Sequence, residues 1–186
     1  MLHEEIIIAG FGGQGVLSSG MIIAYAGMME GRMVSWLPTY GPEKRGGKVQ
    51  SGVKVTEGLV GSPVIDVATS MVIMNEMSLI KYAPMLKPGG RLLLDTAMVG
   101  ATTDRDDLEV HDIPAMRLAS DLGNKSFAGI VLLGGLVAAT GVVGRDSFKE
   151  GLRHVLPEKK HYLIDDEMKA FDLGHAAVAN PSPAAS

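Results

Sequence analysis

Cysteine is absent from this 186-residue chain. That excludes disulfides, thiolate nucleophiles, and any zinc site or iron–sulfur cluster held by cysteines of this chain. Histidine offers no substitute, because His3, His111, His154, His161 and His175 are scattered with no pair at metal-ligand spacing. Positive charge is short as well: 21 Asp+Glu against 17 Lys+Arg leave a net charge of −4. Nucleic-acid binders are usually basic, so no nucleic-acid partner is expected. The opening MLHEEIIIAG sets acidic residues before a short apolar run. A secretory leader carries basic residues and a longer run, so a cytoplasmic location is expected. Repeats and long linkers are missing too.

What is present suits one domain with a proper core: 46% hydrophobic and 20% charged residues are ordinary for a globular chain. Between Lys125 and Arg145 there is no charge, a length that admits a membrane span. That stretch holds five glycines and stands alone in an acidic chain. Small residues let a helix pack closely, so it reads as a buried core helix and no membrane contact is expected.

Along the first hundred residues, strand and helix patterns alternate. EIIIAG (5–10) reads as a buried strand, 14–31 as a helix stopped by Gly31, and RMVSWL (32–37) as the next strand. Val49, Val53 and Val55 alternate ahead of Glu57-Gly58, which predicts a strand and a hairpin turn there. SMVIMN (70–75) and RLLLDT (91–96) read as buried strands, with a helix over 76–87 stopped by Pro88-Gly89-Gly90. LEVHDIP (108–114) gives one more strand, and helices follow. The pattern predicts an α/β, three-layer Rossmann-like domain over residues 1–178: a mostly parallel sheet with some antiparallel strands, and a helical C-terminal half. Residues 179–186, small residues and prolines, are expected to form a flexible tail.

Two loops carry chemistry. GFGGQG fits G-x-G-x-x-G through Gly10, Gly12 and Gly15, after a predicted strand and at the start of a helix. A glycine turn lets backbone approach a phosphate, and a helix start offers free N–H groups and partial positive charge. A dinucleotide enzyme also needs an acid at the end of the second strand, but that strand runs into Trp36-Leu37-Pro38, and Glu30 precedes it. Tight strand–helix packing, binding of an anionic ligand, and a dehydrogenase using NAD therefore all stand as readings of the motif.

The second loop, PTYGPEKRGGK (38–48), has almost nothing apolar to bury. Its glycines miss a Walker phosphate loop by an extra residue, and Val49 follows the lysine. Lys44, Arg45 and Lys48 outweigh Glu43, Gly46-Gly47 lets backbone bend close to a partner, and Tyr40 adds a flat face. In a doubly wound sheet this loop leaves the carboxyl end of the second strand and lies beside the glycine loop. A solvated surface loop is the plain alternative.

FGGQGV, then PTYGPEKRGG, then GSP, at this spacing, resembles the gamma subunit of the 2-oxoacid:ferredoxin oxidoreductases. The forms acting on 2-oxoglutarate or 2-oxoisovalerate are nearest, and the gamma domain of the pyruvate enzyme is homologous. The resemblance implies an enzyme that decarboxylates a 2-oxoacid on thiamine diphosphate, passes electrons through iron–sulfur clusters to ferredoxin, and delivers the acyl group to coenzyme A. It implies partner subunits, thiamine-binding and ferredoxin-like, that hold the thiamine diphosphate, magnesium and clusters. Nothing in this chain matches Gly-Asp-Gly followed by Asn, and no catalytic residue or metal ligand is expected here. The chain would meet coenzyme A, the cofactor next door or a partner subunit through the backbone of Gly10, Gly12, Gly13 and Gly15, the Gln14 amide, Tyr40, Lys44, Arg45, Gly46 and Gly47. A stand-alone nucleotide- or coenzyme A-binding protein is the alternative, and the isolated chain has a homodimer open to it.

Of the remaining residues, Asn75 reads first as a helix cap, with a ligand-facing role for Asn75-Glu76 second, and Asp95-Thr96 reads as a turn or cap or, equally, as part of a site. The 12 Met look like core filling, with Met28-Met29 the candidates for a soft subunit interface.

Overall fold

The computed structural model describes residues 1–40, 48–100 and 103–180. Its centre is β1 (His3–Phe11), whose Ile6, Ile7, Ile8 and Ala9 are all fully buried. Side chains point alternately to the two faces of a strand, so a run apolar at every position needs cover on both sides. Residues Ile6 and Ile8 face one core, Ile7 and Ala9 another.

Six strands form one sheet in the order β2-β3-β1-β4-β5-β6. Strands β4 (Ala68–Ile73), β5 (Leu86–Asp95) and β6 (Glu109–Ile113) run parallel with β1. β3 (Lys48–Thr56) lies antiparallel between β1 and the edge strand β2 (Met33–Tyr40). Pro38 sits in β2, where an edge position tolerates its missing N–H.

The expected class holds, and three details are corrected. The hairpin is not at Glu57-Gly58: β3 runs to Thr56 and the chain then leads to β4, while the tight pairing is β2 with β3, joined through 41–47. The turn signal at 57–58 marked a strand end without a returning strand. The second strand is consequently not β1's neighbour, because β3 intervenes. The helix expected over 76–87 is shorter. α2 (Glu76–Tyr82) gives way to a 3₁₀ turn at Ala83–Met85, and β5 already begins at Leu86, passing through Pro88-Gly89-Gly90 with Gly89 at φ 69°.

The layers are unequal. One face carries α1 (Val16–Met29), α3 (Ala115–Asp121), α4 (Ala128–Thr140), α5 (Arg145–Val155) and α6 (Ile164–Ala179). The other carries α2 with Ile65 and Val99 from connecting segments. Gly31 (φ 71°) ends α1 as expected, its left-handed backbone letting Arg32 N–H reach the Gly27 carbonyl.

The uncharged stretch is α4, buried from Ala128 through Val137. A helix apolar all round belongs in a core. Among the described residues no helix is long and apolar enough to cross a membrane. Its glycines permit close approach: a Cβ on Gly134 would overlap the Phe171 carbonyl, and one on Gly174 of α6 would overlap the Val131 carbonyl. The helices touch backbone to backbone there.

Overpacking costs about 1–3 kcal/mol, and a clash with backbone belongs at the upper end. Gly174→Ala is expected to lower unfolding stability by about 3 kcal/mol. Gly61→Ala, where a Cβ meets open space, should stay within about 0.5 kcal/mol. Urea denaturation of the two variants checks this, and equal midpoints would refute the close packing of α4 on α6.

Candidate functional site

The carboxyl ends of β1, β4 and β5 meet at one edge of the sheet. At β1 the chain leaves through Gly10 and Phe11, turns at Gly12-Gly13, and enters α1 at Gly15. Gly13 (φ 96°) and Gly15 (φ 78°) hold left-handed backbone that favours glycine. Gly10 is glycine for space, since a Cβ would stand 2.7 Å from Gln14 Oε1 and 3.1 Å from Met74 Cβ. Gly12 is different. Its φ is not in the left-handed region, and among described residues a Cβ would meet only Val49 Cγ2 at 4.0 Å. Neither backbone nor packing within the described chain requires it to be glycine.

Gln14 clamps the loop from within. Phe11 N–H donates to Gln14 Oε1 at 2.6 Å, Asn75 Nδ2 donates to the same oxygen at 3.3 Å, and Gln14 Nε2 donates to the Met74 carbonyl at 3.0 Å. Its carbonyl oxygen is thus taken, and one amide hydrogen stays free. Asn75 caps α2, its Oδ1 accepting from Ser78 N–H at 2.9 Å, as the capping reading expected. Among the described residues no side chain caps α1, so the first N–H groups of that helix point outward with their partial positive charge.

The strand ends that flank the charged segment reach the same edge, for a reason other than the one expected. Tyr40 pairs with Val49 and Val49 with Gly10, so the hairpin mouth lies level with the glycine turn. Tyr40 is exposed there. Lys44, Arg45, Gly46 and Gly47 lie outside the described residues. Glu30, the acid at roughly dinucleotide distance, sits at the opposite edge, where it binds Arg32 at 2.9 Å and accepts from Gly144 N–H. With antiparallel β3 beside β1, no neighbouring parallel strand presents an acid to a ribose on that side. The geometry disfavours the dehydrogenase reading.

Two recesses adjoin the loop. A small one of about 90 Å³ is lined by Gly13, Gln14, Met74, Asp95, Met116 and Lys125, among others. Burial raises the Asp95 carboxyl above the usual range, opposed by N–H donors of Met116 and Ala97; the turn-and-cap reading of Asp95 holds. A larger cleft of about 310 Å³ runs from Gly13, Gly15 and Ser18 to the end of α5, Lys160 and Glu167. Burial pushes the Glu167 carboxyl up to about 7, opposed by Lys160, with no hydrogen bond contributing.

Glu167 and Lys160 were not singled out from the sequence, because tertiary packing alone brings them to the glycine loop. A signal existed for Glu167: with Ile164, Met168 and Phe171 it falls on the apolar stripe of α6, where an acid is out of place. Met28, Met29 and Met33 stand out in the open, at 59%, 47% and 50% exposure.

This combination, an open α/β sheet with one antiparallel insertion and a glycine-rich strand-to-helix turn at its carboxyl edge, is that of a Rossmann-like α/β domain. Residues 5–177 match the pyruvate ferredoxin/flavodoxin oxidoreductase family, and the chain belongs to it. It is 38% identical over 172 residues to the ketoisovalerate oxidoreductase subunit VorA of Methanothermobacter marburgensis, covering 91% of this chain and 35% of VorA. The chain therefore spans about a third of that relative's length. To the 2-oxoglutarate synthase subunit KorC of the same organism it is 33% identical over 163 residues, 84% of this chain and 88% of KorC. Among solved structures, the gamma subunit of a keto/oxoacid ferredoxin oxidoreductase from Geobacter sulfurreducens superposes with a TM-score of 0.79 at 29% identity, covering 94% of this chain and 98% of that one. The fold also matches, at 23% identity and a TM-score of 0.87, a 2-oxoglutarate:ferredoxin oxidoreductase from Magnetococcus marinus with 2-oxoglutarate, coenzyme A and succinyl-CoA bound; all of this chain and 32% of that one are covered.

Removing the Gln14 clamp leaves Phe11 N–H and the Met74 carbonyl without their partner. Gln14→Ala is expected to cost about 1–3 kcal/mol, read as a lowered thermal midpoint; an unchanged midpoint would refute the clamp. Glu167 sets a pH dependence. Its carboxyl binds a proton more tightly folded, at about 7, than at the ordinary 4.5. Its contribution is therefore full below about 4.5 and lost as pH rises through about 7. Denaturant titrations across that window should show stability falling in the wild type and a flatter profile for Glu167→Gln.

Proposed function

We propose that the chain is the gamma subunit of a thiamine-diphosphate-dependent 2-oxoacid:ferredoxin oxidoreductase, of the 2-oxoglutarate or branched-chain 2-oxoacid type. The observation that carries this is the correspondence with KorC over 84% of this chain and 88% of KorC, within a family match over residues 5–177. The chain has no cysteine to hold a cluster and no Gly-Asp-Gly…Asn set for magnesium and diphosphate. Thiamine diphosphate, magnesium and clusters are therefore assigned to partner subunits, and this chain acts only within the complex.

Its part is to bind and to orient. The loop at Gly12–Gly15 presents backbone N–H groups and the positive end of α1 to phosphate oxygens of coenzyme A. Lys44 and Arg45, in the segment between Tyr40 and Lys48, supply countercharge, and Tyr40 a flat apolar face. Coenzyme A supplies the acyl-accepting thiol when bound. Holding the ligand at a fixed place relative to chemistry on another subunit can account for large rate factors without any covalent step here. Gly12 supports this reading: a residue that the described fold does not require to be glycine is what a site of close backbone approach needs.

The test is anaerobic purification of the tagged chain from its native cells. Dye reduction is then assayed with 2-oxoacids and coenzyme A supplied in turn. A brown complex that reduces a viologen only with one 2-oxoacid and coenzyme A is the expected result. A colourless chain eluting alone would overturn the subunit reading in favour of a stand-alone binder. Within the complex, Gly12→Ala should leave the unfolding midpoint unchanged and raise KM for coenzyme A about tenfold or more; an unaltered KM would remove Gly12 from the site.

A further inference from the structure

The cleft of about 310 Å³ beside the glycine turn is walled by the C-terminal helices. One side is the start of α1 with Gly13, Gly15 and Ser18. Among the described residues no side chain caps α1, so this side presents free N–H donors. Glu167, 7% exposed, also lines the cleft. The charge around it is sparse. α1, α4 and α5 present only hydroxyl and apolar groups to the cleft, the glycine loop the Gln14 amide, and the 3₁₀ segment Glu158–Leu163 the Lys160 ammonium. Glu167 and Lys160 are the charged groups among the described lining residues.

A buried carboxyl normally finds a salt-bridge or hydrogen-bond partner. Here Lys160 acts through its charge alone, and among the described residues no donor is bonded to the acid. An acid with no described partner and an uncapped helix start that line one cleft of ligand size leave a place for a molecule that satisfies both.

We propose that this cleft binds a phosphate-bearing ligand together with one proton, held on Glu167, whose neutral carboxyl donates a hydrogen bond to the ligand while the α1 start and Lys160 take the negative charge. Ionised, Glu167 repels the same ligand. An anion in the cleft raises the affinity of Glu167 for its proton, and reciprocally the protonated form binds the anion more tightly. Because the free carboxyl titrates near neutrality, the site weakens across the physiological range as pH rises. This deepens the proposed function and rests on it for one point, the choice of coenzyme A as ligand; the proton linkage rests on the cleft alone.

Calorimetric titration of the full chain with coenzyme A, and separately with inorganic sulfate, separates the two. Sulfate keeps its charge between pH 6 and pH 9, so any slope it shows belongs to the protein. The expected result is a Kd that rises about tenfold per pH unit above about 7, uptake of close to one proton per ligand, and a flat profile for Glu167→Gln. Lys160→Ala should weaken binding at every pH. Binding of both probes without a slope, or a slope that survives Glu167→Gln, overturns the proton linkage while leaving the proposed function standing. A slope with sulfate but no coenzyme A binding sustains the linkage and overturns coenzyme A as the ligand. Failure of both probes to bind overturns both.

Discussion

The arrangement depends on the backbone contact between α4 and α6. Gly134 and Gly174 let the two helices meet where any side chain would strike a carbonyl, and Gly135 fits against Ile113 and Leu93 of the sheet. That closeness seats α6 directly behind α4. It carries Glu167, and the 3₁₀ segment with Lys160, round to the start of α1. A wider helix pair would still bury the apolar surface of α4, but would open the cleft that faces the glycine turn.

The glycine turn shows how one motif combines unlike requirements. Gly10 answers to packing against Gln14 and Met74, and Gly13 and Gly15 to left-handed backbone. Only Gly12 lacks a reason within the described chain. The packing reading of G-x-G-x-x-G thus holds at Gly10, and Gly12 is the position on which the proposed ligand reading rests. Gln14, expected to face a ligand, spends its carbonyl oxygen on Phe11 and Asn75 and holds the turn to β4. A loop stiffened from inside presents its N–H groups in fixed directions, which a phosphate site needs.

The insertion of β3 separates this domain from a dinucleotide enzyme. With an antiparallel strand next to β1, the place where a ribose-holding acid would stand is occupied by the mouth of a hairpin. The same strand brings Tyr40 level with Gly10 through Val49. The segment that carries Lys44 and Arg45 in the sequence therefore starts and ends level with the glycine turn.

Much of this was legible before any coordinates. Local rules acted alone at the buried runs of β1, β4 and β5, at Gly31 ending α1, at the uncharged core helix, and at Asn75 as a cap, so pattern and residue type sufficed. The two motifs and their spacing were enough for the resemblance to the gamma subunits. Strand order was not legible. The alternation of Val49, Val53 and Val55 specifies a strand but not its neighbours, and a turn signal at Glu57-Gly58 does not say whether the chain returns. The Glu167–Lys160 wall of the cleft was hidden for the same reason: Glu167 is more than 150 residues from the glycine turn, and only the folded packing of α4 on α6 closes that gap. Sequence by itself determined which segments are strand, helix and glycine-rich turn, because those follow from periodicity and local chemistry. Tertiary structure decided which of them face each other, because contacts across the sheet and between helices depend on side chains far apart in the chain.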